Sequence, residues 1–226
     1  MPTHDDTNLV AARALKQLLD VEPGLELFSD APRPKRAMSL EELYDMIHEC
    51  TKCSLCHSRN KFVFGVGNPK ADLLFIGEAP GRDEDLKGEP FVGRAGQLLD
   101  RMLAAIDLSR DQVYIANILK CRPPDNRDPL PEESEQCLPH LAEQIRLIRP
   151  KFICALGRIA AQILLDTKTP LSKLRGKFYD LAGTRMLATF HPAALLRNPN
   201  FKRDAWEDLK LLRRTYDESM GRPSKF

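Results

Sequence analysis

Four short runs rich in β-branched and aromatic residues alternate with stretches of helical periodicity, and this limits the fold more than any other feature. The runs are DLLFIG (72–77), QVYIANIL (112–119), KFICALG (151–157) and RMLATF (185–190). Each is short and largely apolar, as a strand buried on both faces is. Between them lie RAGQLLDRMLAAI (94–106), CLPHLAEQIRLI (137–148) and RIAAQILLD (158–166), with apolar residues at helical spacing. Pro139 is expected to kink or start the second of these helices. A last helix is expected over roughly 202–214. Strands alternating with helices predict an α/β domain whose parallel sheet is covered on both faces.

The domain is expected over 38–226. Residues 1–37 read as a peripheral extension and linker, with an amphipathic helix over LVAARALKQLLD followed by the Pro- and Arg-containing SDAPRPKRAM. Ser39 with Glu42 forms a capping-box pattern for a helix through LEELYDMIHE, which delivers Cys50 at its end. No run approaches the ~18 apolar residues of a membrane span. MPTHDDTNLV lacks the basic start and apolar run of a secretory signal, so a cytoplasmic location is expected. A net charge of +2 decides nothing, because a nucleic-acid binder can carry a local basic face on a near-neutral whole.

In a reducing compartment six cysteines point to metal binding or redox chemistry rather than crosslinks. Cys50 and Cys53 form a C-x-x-C half-site. Cys121 and Cys137 bracket fifteen residues that include four prolines, a segment expected to be an irregular loop throughout. Four thiolates suit tetrahedral zinc or an iron–sulfur cluster. The spacing alone leaves zinc, a cluster and unpaired thiols equally open. Cys56 competes as a ligand, and Cys154, inside KFICALG, reads as a small core residue.

The unusual residues gather at the carboxyl ends of the expected strands, where open α/β sheets bind ligands. GEAPG (77–81) follows the first, Asn117 lies near the end of the second, Gly157 ends the third and His191-Pro192 follows the fourth. The glycines of GEAPG can expose backbone N–H groups to a ligand, or simply make a strand-to-helix turn. Phe91 reads as core or as a stacking platform. Asn117 is costly in an apolar strand unless bonded, and His191 alone reads as structural.

Taken together, CTKCSLCHSR, GEAPGRDEDLKGEPFVGRAGQLLD, VYIANILKCRPPDNRDPLPEE and FHPAALLRNP resemble the family 4 uracil-DNA glycosylases, the iron–sulfur branch of the uracil-DNA glycosylase superfamily. The resemblance covers roughly residues 40–214. It implies a three-layer αβα sandwich about a central, mainly parallel four-stranded sheet. It also implies a [4Fe–4S] cluster on Cys50, Cys53, Cys121 and Cys137. Gly77, Glu78 and Ala79 would floor a uracil pocket, Phe91 would stack on the base, Asn117 would read its edge and His191 would face O2. Ala79 stands where the superfamily's best-known branch carries a water-positioning aspartate. Glu78, the nearest carboxylate, is therefore the nominated replacement. Glu84 is the expected neighbour of C5 that excludes thymine. Leu195 or Leu196 would wedge into DNA, with Arg197, Lys202 and Arg203 toward phosphates. The implied activity is that of a monomeric enzyme on uracil-containing DNA, single- or double-stranded, with any contact to a replication clamp left unassigned. Two rival expectations are a superfamily member that binds uracil-DNA tightly or excises another deaminated base, and a non-catalytic iron–sulfur module.

Overall fold

A computed structural model describes residues 37–226. The expected extension helix and most of the linker lie outside the described residues.

The sheet has six strands: β1 (Val66–Gly67), β2 (Leu73–Gly77), β3 (Tyr114–Asn117), β4 (Phe152–Leu156), β5 (Phe178–Leu181) and β6 (Thr184–Thr189), in spatial order β1-β3-β2-β4-β6-β5. The four expected strands are the central ones, and all their mutual pairings are parallel. Two antiparallel edge strands correct the four-stranded expectation. β1 spans two residues, too few for any periodicity. β5 is half-exposed, and joins β6 through Ala182 and Gly183, both at positive φ (48° and 81°). Such a two-residue turn matches strand twist, but alanine does not announce it.

Helices cover both faces, giving the three layers. On one face lie α1 (Leu40–Ile47), α4 (Pro131–Ile148), α5 (Arg158–Leu165) and the short α6 (Leu171–Leu174), packed on Leu74, Ile76, Ile153 and Met186. On the other lie α3 (Arg94–Ala105) and α8 (Lys202–Ser219), packed on Phe75, Ile115, Cys154 and Leu187. Short helices α2 (Arg82–Lys87) and α7 (Pro192–Arg197) sit at the carboxyl edge of the sheet. The chain leaves β2 for β3 on one side, then crosses over to β4 on the other. This places a switch in strand order, and hence a crevice, at the carboxyl end of β2.

The α1 start is as expected: Ser39 Oγ accepts the Glu42 N–H at 3.1 Å, while Glu42 Oε2 accepts the Met38 N–H at 2.7 Å. The start of α4 is not. The helix begins at Pro131, so Cys137 lies within it rather than at a loop end, and Pro139 is accommodated inside it. Proline is preorganised for a first helical position, and Glu133 completes the start by accepting the Leu130 N–H at 2.8 Å. The irregular loop is confined to 122–130, where Asp125 and Asn126 both hold φ of 54°. α8 also runs five residues beyond its expected end, to Ser219.

Glu133 also accepts a two-pronged contact from Arg127, Nη1 to Oε2 at 2.9 Å and Nη2 to Oε1 at 2.6 Å. Burial works to raise the Glu133 carboxyl, but Arg127 and the Leu130 N–H overcome it and hold it below its ordinary value. The loop, whose one regular piece is a 3-10 turn at Pro124–Asn126, is thus tied to the first turn of α4. Arg127→Ala leaves that buried carboxylate short of its partners and is expected to cost about 1–3 kcal/mol, read as a lowered urea midpoint with an unchanged m-value.

Candidate active site

β2 and β3 pair so that Gly77 lies beside Asn117 at the carboxyl edge. Asn117 is 2% exposed, and its Oδ1 has no hydrogen-bond partner. Leaving a buried amide oxygen unpaired costs about 1–3 kcal/mol. Gly77 makes the space around it: a Cβ there would overlap Asn117 Oδ1 and lie 2.7 Å from Phe91 Cζ. Glycine is required because an amide and an aromatic ring approach the same backbone atom.

Phe91 is buried and holds φ of 54°, a left-handed conformation that costs a Cβ-bearing residue about 1–2 kcal/mol. Its ring faces that of His191, with centroids 5.4 Å apart and planes tilted by 32°. Gly96 in the first turn of α3 gives the loop room, since a Cβ there would overlap the Phe91 carbonyl. Glu84 on α2 reaches across: Oε1 accepts the N–H groups of Val92 and Gly93, each at 2.9 Å, and Oε2 accepts that of Gly81 at 3.1 Å. Both carboxylate oxygens are therefore committed to backbone, joining the GEAPG turn to the Phe91 loop. Arg110 grips that loop from the other side, through the carbonyls of Pro90 and Phe91.

His191 caps α7, its Nδ1 accepting the Ala193 N–H at 3.1 Å. An imidazole that accepts at Nδ1 carries its proton on Nε2, which is then a donor. Burial, with Arg197 nearby, pulls its pKa down to about 4, so the ring is neutral at ordinary pH. Gly157, at φ of 97°, lets the strand end pass close behind: a Cβ there would lie 3.0 Å from that of His191. Glu78 is half-buried beside this group. Burial and the Asp128 carboxylate push its carboxyl up to about 7, opposed by Arg158 and Arg197. Leu195 and Leu196 separate clearly. Leu195 is 2% exposed and packs in the core, whereas Leu196 is 37% exposed beside exposed Arg197. Lys202 and Arg203 are exposed at the start of α8.

The cysteines gather behind the pocket. Cys121 lies within electrostatic range of Cys50 and Cys53, and Cys137 within range of Cys121 and Cys53. Three of these sulfurs meet nitrogen groups: the Lys120 N–H donates to Cys137 Sγ at 3.3 Å, Arg59 Nη1 donates to Cys121 Sγ at 3.3 Å, and His140 Nε2 lies 3.3 Å from Cys50 Sγ. Cys154 is buried in the core on β4. Among the described residues no three His, Cys, Asp or Glu side chains are grouped tightly enough to form the ligand set of one bare ion. Lys120 is fully buried, its Nζ donating to the Asn117 carbonyl at 2.9 Å and to Gln144 Oε1 at 2.5 Å. It ties the pocket strand, α4 and the sulfur group together, and burial pulls its ammonium down to about 8. No sequence pattern marks Arg110, Lys120, Arg59 or His140, because a lone basic residue reads as surface until its packing is known.

The fold and this pocket belong to one class. The sequence profile described as the Uracil DNA glycosylase superfamily matches residues 64–210, and the chain belongs to that superfamily. Within it, the chain is 49% identical over 180 residues to the Type-4 uracil-DNA glycosylase of Archaeoglobus fulgidus, covering 76% of this chain and 90% of that protein. It is 43% identical over 178 residues to the Type-4 uracil-DNA glycosylase of Thermotoga maritima, covering 75% and 93%. The Type-5 uracil-DNA glycosylase of Pyrobaculum aerophilum is more distant, 33% identical over 146 residues, 57% of this chain and 64% of that protein.

Proposed function

We propose that the chain is a monofunctional uracil-DNA glycosylase, hydrolysing the N-glycosidic bond of uracil in DNA and leaving an abasic site for base-excision repair. The names of its Type-4 relatives support this. The observation that carries it is the orphaned Asn117 Oδ1, buried between Gly77 and Phe91. That oxygen is the acceptor for uracil N3–H, and the same amide's N–H groups suit O4. Cytosine presents the opposite polarity and would leave the amide unpaired, a mismatch that such sites convert to ~10⁴-fold or better discrimination.

Extruding a base from the duplex costs a few kcal/mol, and stacking on Phe91 returns ~1–3 kcal/mol. Gly77, Glu78 and Ala79 floor the pocket. As the glycosidic bond breaks, negative charge develops on uracil and positive charge on the sugar. The His191 Nε2–H faces O2 and stabilises the leaving anion as a neutral donor, with the N–H groups of 77–81 adding to it. Glu78, once ionised, orients the water that attacks C1′. With both oxygens held by backbone N–H groups, Glu84 excludes thymine by fixing the 91–93 wall near C5 rather than by turning a free carboxylate toward it. Leu196 is the wedge, because Leu195 is part of the core, and Arg197 contacts phosphate.

Cys50, Cys53, Cys121 and Cys137 hold a [4Fe–4S] cluster in this reading. The N–H donors around their sulfurs suit thiolate ligands. Burial pushes the Cys137 thiol up to about 12, a state that a bound metal reverses. When bound, the cluster supplies a crosslink between the 50–56 segment, the strand end after Asn117 and α4.

Excision from a labelled oligonucleotide tests the activity, and Asn117→Asp sets a carboxylate against O4 and is expected to lose about 10²–10⁴-fold in single-turnover rate. Wild-type rate against the aspartate variant settles whether Asn117 reads the base. The rate should rise with pH through about 7 as Glu78 ionises, and Glu78→Gln should be slow and flat from pH 6 to 8. His191 contributes nothing to that limb, since it is already neutral above about 4. Iron and sulfide analysis should find a cluster in wild type and none in Cys137→Ala, which should also excise uracil more slowly. A cluster-free variant with full activity would remove the bracing role.

A further inference from the structure

Arg110 takes no part in the chemistry above, yet its guanidinium lies directly behind the aromatic platform. Nη1 donates to the Phe91 carbonyl at 3.0 Å and Nη2 to the Pro90 carbonyl at 2.7 Å. Asp100 on α3 steadies the fork, its Oδ1 accepting from Nη1 at 3.0 Å. The residue so gripped resists its own backbone conformation, because φ of 54° at Phe91 brings Cβ against the carbonyl. Something must overdetermine that geometry.

The loop offers two sets of polar groups, and each has a dedicated partner. Its carbonyls at 90 and 91 point to Arg110, while its N–H groups at 92 and 93 point to Glu84. With the carbonyls held on one side, the Phe91 ring is directed to the other, against Gly77 and His191. A planar fork with fixed donors meets two successive carbonyls and a carboxylate in one preorganised geometry, which a compact ammonium on a flexible stem holds less firmly.

We propose that Arg110 is a positioning residue for base recognition, holding the Pro90 and Phe91 carbonyls so that Phe91 stays in the left-handed conformation that presents its ring to the extruded base. The inference rests on Phe91 being the stacking platform. A residue that only stabilised the fold would lower the melting temperature and leave the kinetics of the folded enzyme alone. One that contacted phosphate would change the salt dependence of DNA binding.

The test is a double-mutant cycle on the full-length protein, reading kcat/KM for uracil excision, inhibition by free uracil and the salt slope of DNA binding. Arg110→Met is expected to lower kcat/KM about 10-fold and weaken inhibition by free uracil similarly, with Arg110→Lys recovering only part. In a Phe91→Ala background the same substitution should cost less than about 2-fold, because the two residues act as one unit. The salt slope should not change. An equal loss in both backgrounds, with Phe91→Ala itself impaired, overturns the proposal alone. A flattened salt slope reassigns Arg110 to phosphate and also overturns it. Full activity in Phe91→Ala overturns the platform reading and this proposal with it. If Arg110→Met does not fold, Asp100→Asn loosens the fork from an exposed position. It should show the same background-dependent loss at roughly 2–3-fold, and an equal loss in both backgrounds counts against the proposal as before.

Discussion

The site depends on the parallel pairing of β2 with β3, in the register that sets Gly77 beside Asn117. A shift of one residue would turn the amide into the helical layer and bring a bulky neighbour against the ring. That register is secured well away from the pocket. Phe75 opposite Ile115 and Ile76 opposite Ala116 are fully buried and face opposite layers of the sandwich. Beyond the last rung, Ile118 and Leu119 donate to the carbonyls of Gly77 and Glu78 at 2.9 and 3.0 Å. Core packing thus fixes the strand register on which the site is built, and the register is set against the cost of the unpaired Asn117 Oδ1 and the left-handed Phe91.

Around that pair the molecule joins unlike segments through carboxylates and cations that are themselves buried or half-buried. Glu84 joins two loops, Glu133 joins a loop to a helix, and Lys120 joins a strand end to a helix. Asp85 does the same for the cysteine-bearing segment, accepting from the Asn60 backbone at 2.9 Å. All the partners of Glu84 are backbone N–H groups, whereas Glu133, Lys120 and Asp85 pair with both backbone groups and the side chains of Arg127, Gln144 and Asn60. Charge assistance strengthens these bonds. The Phe91 loop and the Asn117 strand come from different parts of the chain, and Glu84 and Lys120 tie them to their surroundings.

Much of this was legible in the residues. The central strands are buried on both faces and so appear as unbroken apolar runs. Motif residues such as Gly77, Asn117 and His191 interrupt those patterns where polar or glycine residues would otherwise be out of place. What stayed hidden has a physical reason in each case. β5 is half-exposed and turns through an alanine, so neither alternation nor turn chemistry marks it. The helical start at Pro131 has no signal of its own, because a proline at a first helical position and one inside a turn are the same letter. Leu195 and Leu196 are adjacent, and only the placement of α7 against α3 and α8 decides which one is covered. Arg110 works through the carbonyls of Pro90 and Phe91 and Lys120 through the Asn117 carbonyl and the Gln144 side chain, partners that tertiary packing supplies and no side-chain pattern records.

The edge strands bear on how the molecule lives in a crowded solution. A parallel sheet with open sides offers rows of unpaired amides to any other extended chain. Here one side ends in β1, which spans two residues, and the other in β5, half-exposed with Lys177 before it and Asp180 within it. A strand that short gives an incoming chain little to grip, and charges along the rim penalise one that tries. The two edge strands therefore act as terminators. They leave little unpaired backbone at either side of the sheet for an incoming strand.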